Sequence, residues 1–449
     1  MEFRWWKIIL FLKQEKLRMM HRGMNVQFHG SIYTIMAVSL SGSEPSQAAR
    51  AVLSQRVRAI KPSPSMAAKT RVDQLRAQGQ DITDFTVGEP DMDTPAHIVE
   101  AGVQALRSGQ TRYTSSVGTR ALLQAVQAKF RRENGLDYGL DQLVVGTGAK
   151  QLIYTAFSAT VDAGDEVIVP APFWVSYPDM VLLNDGKPVI VPCTEADGFK
   201  LTPGLLENAI TARSKWVLLN TPSNPTGALY TEAELRALIE VLRRHPHVWV
   251  LTDEIYEHLA YGDARHVSIA ALDAGIAQRT LTINGVSKAY AMTGWRVGYA
   301  GGPAGLVKAM GTLISQSTSC VAAMNQAAAA FALSADQACV AQATALFKAR
   351  RDRIVALLNA IPGIRCAQPA GAFYVYPGVE GLIGKKTPDG RVLESDLDVS
   401  MYLLDEAKVA VMDGTSYGLS PYLRLSFATS IEQIEIGCER IARACANLA

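Results

Sequence analysis

Between about residues 90 and 335, short apolar, β-branched runs alternate with longer amphipathic stretches, and this alternation limits the possible folds more than any other feature. Gln142–Val145, Glu166–Pro170, Pro188–Val191, Lys215–Asn220, His247–Thr252, Thr280–Ile283 and Val297–Ala300 read as strands. Several are apolar at nearly every position, as strands of a parallel sheet covered on both faces should be. Ala149–Thr160 and Thr231–Leu242 read as helices between them, and Thr231-Glu232-Ala233-Glu234 reads as a capping box opening the second. The expected fold class is α/β, with a large domain over 92–335 whose mostly parallel sheet is flanked by helices.

After residue 335 the pattern changes. A helix with a basic face around Phe347–Arg353 leads into the separated strands Phe373–Tyr376, Val409–Met412 and Tyr422–Phe427, then a final helix from Ile431. This predicts a smaller α+β domain over 336–449. The segment 51–91 is assigned to it as well, because it precedes the large domain's repeats. The glycine-rich stretch Gly378–Gly390 reads as a surface loop.

A chain of 449 residues has room for two such domains. Its formal charge of +2 gives no reason to expect nucleic-acid or membrane partners. The six cysteines are scattered without a C-x-x-C pair, which suits buried, inert thiols in a reducing, cytoplasmic setting. Residues 1–50 mix Trp5, Trp6 and the apolar run Ile8–Leu12 with basic residues, too short a run to span a bilayer. They read as a loosely ordered extension or as sequence upstream of the natural start; an amphipathic helix on a membrane surface is the other reading.

The chemistry concentrates at strand ends. Lys288, in Asn284–Arg296, has small or apolar neighbours and an arginine eight positions on at Arg296. That layout suits a lysine holding an aldehyde cofactor as a Schiff base while a guanidinium grips its phosphate; an isolated lysine would otherwise be a surface charge. Asp253 follows an apolar strand, where open α/β sheets bind ligands, with Tyr256 three residues on. Such a carboxylate keeps a pyridine nitrogen protonated, although it could equally cap a helix. Asn224 lies in the rigid turn Thr221–Gly227 after another strand. Gly146-Thr147-Gly148-Ala149-Lys150 joins a strand to a helix and forms a candidate phosphate cradle at Gly148 and Ala149. Its sixth position is Gln151, so the dinucleotide fingerprint fails. Arg424 alternates with Leu423, Leu425 and Phe427 on a strand; exposed, it would be ordinary, but its fork also matches an α-carboxylate.

Over roughly residues 53–447 these runs, in order and spacing, resemble the class I pyridoxal-phosphate-dependent aminotransferases of fold type I, in particular the bacterial aspartate and aspartate/prephenate subgroup. The matching motifs include Val87–Asp91, Phe173–Pro178, Thr221–Gly227, Asp253–Tyr256, the Lys288 run and Gly371–Tyr374. The resemblance implies pyridoxal 5′-phosphate bound covalently to Lys288, with Trp174 stacked on its ring and Asp253 at its nitrogen. It further implies Asn224 and Tyr256 at the phenolic oxygen, a cis Asn224-Pro225 bond, and Gly88 backbone facing the substrate. Tyr113 would reach the phosphate of a neighbouring subunit, which implies a homodimer with shared sites. Lys150 and Lys61 match the subgroup's lysines for the distal carboxylate. One departure is Gly285, where some relatives carry a phosphate-binding serine.

The implied activity is transfer of an amino group from aspartate, or another acidic or aromatic amino acid, to 2-oxoglutarate by a ping-pong cycle. Alternatives on the same fold are a prephenate or aromatic aminotransferase and a β-lyase. An aminotransferase-like regulator would need a DNA-binding module ahead of Ala51, and no such pattern is present. No metal is expected.

Overall fold

The computed structural model describes residues 52–60 and 64–449, and Gln55–Ala449 form one compact unit. The seven runs read as strands between 142 and 300 are the seven strands of one sheet. They are β2 (Leu143–Gly146), β3 (Glu166–Ala171), β4 (Lys187–Pro192), β5 (Ser214–Asn220), β6 (Trp249–Asp253), β7 (Thr280–Gly285) and β8 (Gly298–Gly301), preceded by β1 (Thr83–Asp84). Their order is β2-β8-β7-β6-β5-β3-β4. All pair in parallel except β8, which runs antiparallel to both neighbours.

Why these strands are apolar throughout follows from what covers them. On one face Leu152, Ile153 and Ala156 of the helix Ala149–Thr160 and Leu306 and Met310 of Ala304–Ser317 pack on Val167, Val169, Trp216, Leu218 and Leu251. On the other, Leu235, Leu238, Ile239 and Leu242 of Glu232–Arg244 pack on Ile168, Val217, Leu219 and Val250. Burying each of the larger aliphatic side chains stabilises the fold by about 1.5–3 kcal/mol relative to exposure. The capping box is present: the Thr231 side chain accepts from the Glu234 backbone N–H, an arrangement whose loss typically costs about 1 kcal/mol.

The remaining strands are short. β9 (Tyr374–Val375), β11 (Met412–Asp413) and β12 (Leu423–Ser426) form an antiparallel sheet in the order β11-β12-β9, and β10 (Val409–Ala410) pairs in parallel with β1. They pack against Phe347, Ile354 and Leu358 of Ala338–Asn359 and Ile434, Cys438 and Ile441 of Ile431–Ala446. The run expected as one strand over Val409–Met412 is thus two strands facing different partners.

Two expectations need correction. Gly378–Gly390 is not a plain surface loop, because Val379 and Leu382 are fully buried in this core and Thr387 is buried too. Glycine content marks the turns but not the apolar residues carried between them. Of the cysteines, Cys193, Cys366, Cys438 and Cys445 are buried, but Cys320 and Cys339 are half-buried. Burial pushes the Cys193, Cys366 and Cys438 thiols up to about 12, which keeps them inert. Among the described residues no helix is long and apolar enough to cross a membrane.

Beneath β6 lies a buried charge network. The Lys129 ammonium pairs with Glu257 and donates to Asn134 Oδ1 at 2.6 Å. Glu254, the residue after Asp253, accepts from Ser268 Oγ at 2.6 Å and lies 2.9 Å from His266 Nε2. Burial alone would raise the Glu257 carboxyl, but Lys129, His258 and His266 outweigh it and hold it down at about 2.

Candidate active site

Parallel pairing sends the carboxyl ends of β2, β3, β5, β6 and β7 to one edge of the sheet. Because β8 is antiparallel, the residues that lead into it reach the same edge. A cavity of about 330 Å³ opens there. It is lined by ten residues singled out from the sequence: Gly88, Ala149, Lys150, Trp174, Asn224, Asp253, Tyr256, Lys288, Arg296 and Arg424. Gly148 and Tyr113 are not in its lining, and Tyr113 is 90% exposed on the surface. Lys61 lies outside the described residues.

Lys288 follows β7, and its ammonium donates to the Gly88 carbonyl at 2.6 Å. Burial draws its pKa down to about 8; Glu89 and Asp253 oppose this, while Arg296 and Arg424 add to it. A lysine so placed reaches its nucleophilic neutral form near physiological pH. Asp253 ends β6 beside Asn220 of β5. Its Oδ2 accepts from the Tyr177 hydroxyl at 2.7 Å and its Oδ1 from the Ile255 N–H at 3.3 Å. Burial raises its carboxyl to about 6 against these bonds and the Lys288 charge. A cationic partner in the cavity would favour the carboxylate. The helix-cap reading fails, since residues 255–258 form a turn rather than a helix.

Asn224 sits in a turn whose bonds Thr221-Pro222 and Asn224-Pro225 are both cis. The turn is tied back by Asn220, whose amide donates to the Asp253 carbonyl at 2.9 Å and accepts from the Asn224 N–H at 2.7 Å. Arg424 is buried at 2% exposure, not solvated as an arginine on a strand usually is. Its guanidinium carbon lies 4.7 Å from the Tyr374 ring and 5.2 Å from the Tyr417 ring. One nitrogen donates to the Thr86 carbonyl and another reaches Asn224 Oδ1 at 3.5 Å. Its Nε has no hydrogen-bond partner among the described residues. A buried guanidinium with donors to spare is a ready carboxylate receptor.

The β2–helix junction is shaped by glycine. Gly148 has φ +82° and ψ 160°, and a Cβ on it would come within 2.4 Å of Arg296 Nη2. A Cβ on Gly298 would come within 2.4 Å of the Ala149 nitrogen. Side-chain-free backbone therefore lets Arg296 lie against the start of the helix Ala149–Thr160, where N–H groups point outward. Arg296 donates to the Thr293 carbonyl at 3.0 Å. This pocket of N–H groups plus one guanidinium can hold a phosphate-sized anion. The Lys150 ammonium lies 4.6 Å from the centre of a Trp174 ring; burial against the cavity wall and the Arg296 charge lower its pKa, with Asp179 opposing.

Sequence reasoning gave no role to Tyr177, Asn220, Tyr374, Glu89 or Lys69, all of which line the cavity. For Tyr177 a signal existed: it stands three residues after Trp174, one helical turn on, and the two rings meet edge to face at 5.3 Å. Gly285, the departure from the serine-bearing relatives, packs against Ile255 and β8, while Ser287 lines the cavity.

Comparison with known proteins shows which family this fold belongs to. Residues 80–441 match the family described as aminotransferase class I and II. The chain is 50% identical over 378 residues to the aspartate aminotransferase of Rhizobium meliloti (strain 1021), covering 84% of this chain and 92% of that protein. It is 50% identical over 398 residues to the aspartate/prephenate aminotransferase of Cereibacter sphaeroides, covering 89% and 100%. Among solved structures, the aspartate aminotransferase of Rhizobium meliloti superposes with a TM-score of 0.87 at 48% identity over 88% of this chain and 99% of that one. The Thermus thermophilus aspartate aminotransferase with maleate gives 0.82 at 40% identity over 87% and 99%. A lysine, a carboxylate and a buried arginine meeting at the sheet edge, on a fold shared with these enzymes over 87–88% of this chain, mean that the chain belongs to the class I and II aminotransferase family.

Proposed function

We propose that this aminotransferase moves the amino group of aspartate to 2-oxoglutarate with pyridoxal 5′-phosphate held on Lys288. The observation that carries the proposal is the sharing of one cavity by the Lys288 amine, the Asp253 carboxylate and the Arg424 guanidinium. The residues fit the cofactor: the glycine-shaped cradle at Gly148, Ala149 and Arg296 suits its phosphate, Trp174 its ring face, and Asp253 its ring nitrogen. Asn224 and Tyr256 suit its phenolic oxygen. When bound, the cofactor supplies an aldehyde that captures amines and a pyridinium that accepts the electron pair left by a departing Cα proton.

The chain's own residues do the rest. Arg424 binds the substrate α-carboxylate and so orients the Cα–H bond toward Lys288. The Lys288 amine, when free, would take the Cα proton as general base, and its depressed pKa suits that task. Asp253 would hold its negative charge toward the ring nitrogen and so keep it protonated. The Gly88 carbonyl, which accepts from Lys288, steadies the amine between transfers.

For the distal carboxylate we assign Lys150, which lines the cavity, and Lys61. Support comes from the Thermus thermophilus relative, whose structure holds maleate, a dicarboxylate. Prephenate is the second reading, favoured by the name of the Cereibacter sphaeroides relative. We further propose a homodimer in which Tyr113 reaches the phosphate of the other copy; its 90% exposure leaves a large aromatic for a second copy to cover. The parallel pairing of β1 with β10 supports grouping 51–91 with 336–449 in a small domain beside a large one over 92–335. Scattered cysteines support a cytoplasmic setting.

Steady-state kinetics with aspartate, glutamate, tyrosine and prephenate, each against 2-oxoglutarate, test the substrate assignment. A Lys288→Ala protein should lose the cofactor's lysine-linked visible band and nearly all turnover. Normal activity in that variant would sink the proposal.

A further inference from the structure

Tyr374 is fully buried in β9, yet it lines the cavity. Its hydroxyl lies 2.9 Å from that of Tyr256, with the two rings edge to face at 5.8 Å and 81°. The face of the same ring lies 4.7 Å from the Arg424 guanidinium carbon. A Cβ on Gly88 would sit 3.1 Å from its oxygen, so the hydroxyl also abuts the strip that receives Lys288. One side chain thus touches two groups to which the proposed function gives separate tasks.

We propose that Tyr374 is a positioning residue that aims the Tyr256 proton at the cofactor's ring oxygen and seats Arg424 for the substrate carboxylate. This rests on the function proposed above.

A phenol has one proton to give and two lone pairs to accept with. In the pair, one hydroxyl must donate and the other accept. If Tyr256 is to donate into the cavity, Tyr374 must be the donor between them. Accepting a hydrogen bond in turn strengthens Tyr256 as a donor, because chained hydrogen bonds polarise one another. The Arg424 charge favours this order: burial raises the Tyr374 hydroxyl to about 12, and the guanidinium pulls against that rise. Burial pushes the Tyr256 hydroxyl well up too, with Arg424 the weakest of the neighbouring effects on it. The ring acts independently of the hydroxyl, since a cation over an aromatic face is held by the ring's quadrupole. With Tyr417 at 5.2 Å as a second wall, Arg424 has little freedom to rotate away.

The two tasks can be separated by substitution. A donor aimed at the ring oxygen stabilises its negative charge and favours the form of the lysine-linked cofactor that has lost its shared proton. Tyr374→Phe removes the donor to Tyr256 but keeps the ring. In the purified holoenzyme it should raise the pH midpoint of the visible band's transition by about 0.5–1 unit, with KM for aspartate within about twofold of wild type. In a Tyr256→Phe background the same substitution should leave the midpoint where Tyr256→Phe alone puts it. Tyr374→Leu, which also removes the ring, should raise KM for both aspartate and 2-oxoglutarate by about threefold to tenfold.

An unmoved midpoint in Tyr374→Phe, or an equal shift with and without Tyr256, overturns the aiming role. An unchanged KM in Tyr374→Leu overturns the seating role. Should Tyr374→Leu not fold, Tyr374→Met, which also removes the ring, replaces it with the same expected rise in KM, and an unchanged KM there likewise overturns the seating role. If wild-type protein shows no lysine-linked band at all, the cofactor assignment itself fails, an outcome distinct from either result above.

Discussion

Replacing Gly148 by alanine tests the phosphate cradle at its tightest point. The backbone there, φ +82° and ψ 160°, lies in a region almost confined to glycine, and a side chain in it costs about 1–3 kcal/mol. The added Cβ would stand 2.4 Å from Arg296 Nη2, whereas ordinary contact begins near 3.4 Å. The guanidinium must therefore retreat by about 1 Å. As the far end of a flexible side chain it can do so without unfolding the sheet, at the expense of its bonds to Thr293 and Thr147. The damage falls on anion binding. Losing one charge-assisted hydrogen bond of about 1.5–3 kcal/mol weakens cofactor affinity by roughly 10- to 150-fold. Titrating cofactor-free protein with pyridoxal 5′-phosphate, followed by tryptophan fluorescence and the visible band, gives Kd directly, and a circular-dichroism melt gives the backbone cost. Since the effect runs through Arg296, Gly148→Ala should add little to an Arg296→Ala protein. A Kd within about twofold of wild type, or a full additional loss in the double variant, would refute the reasoning.

Three further outcomes are expected. Asp253→Asn keeps a partner for the Tyr177 hydroxyl but removes the charge, so kcat should fall by about a hundredfold or more with the fold intact; stopped-flow absorbance on single half-reactions would show whether it does. Cofactor attachment should depend on Lys288 being neutral: with its pKa near 8, the rate of colour formation in cofactor-free protein should level off above that pH and fall about tenfold per unit below it. A flat profile from pH 6 to 9 would contradict the burial that sets this value. Glu257→Gln leaves the fully buried Lys129 ammonium without its main partner and should destabilise the protein by about 3–5 kcal/mol in urea unfolding. The native Glu257 carboxyl, held at about 2, contributes stability that is complete above the unfolded-state value near 4.5 and is lost as pH falls toward 2. Glu257→Gln should therefore flatten the acid limb of the stability curve.

The large sheet was legible because its strands obey one simple constraint. A strand covered on both faces must be apolar nearly throughout, so Trp216–Leu219 and Val250–Leu251 announce themselves without any tertiary information. Residues at strand ends were equally readable, since Asp253, Asn224 and Lys288 break those runs where the sheet opens. The short strands were harder. Val409–Ala410 and Met412–Asp413 are adjacent in sequence but pair with β1 and β12 respectively, and only long-range partners decide where one stops. The fork of Arg424 is legible in the sequence but its burial is not: the polar face of β12 is covered by Tyr374 and Tyr417, which lie on other segments. Tyr177 reaches Asp253 across 76 residues of chain, a separation that carries no local pattern.

Asp253 and Glu254 are neighbouring acids that part company at the end of β6, one turned to the cavity and one to the Lys129 and His266 side. Sliding β6 by a single position along β5 and β7 would put Glu254 where Asp253 stands and Ile255 where Glu254 stands. An ordinary apolar strand tolerates that error badly enough; here it would also take Glu254 away from His266 and put the wrong acid at the cavity. Correct threading of this strand is thereby enforced by charge as well as by greasy side chains, so that misalignment and inactivity are made to coincide.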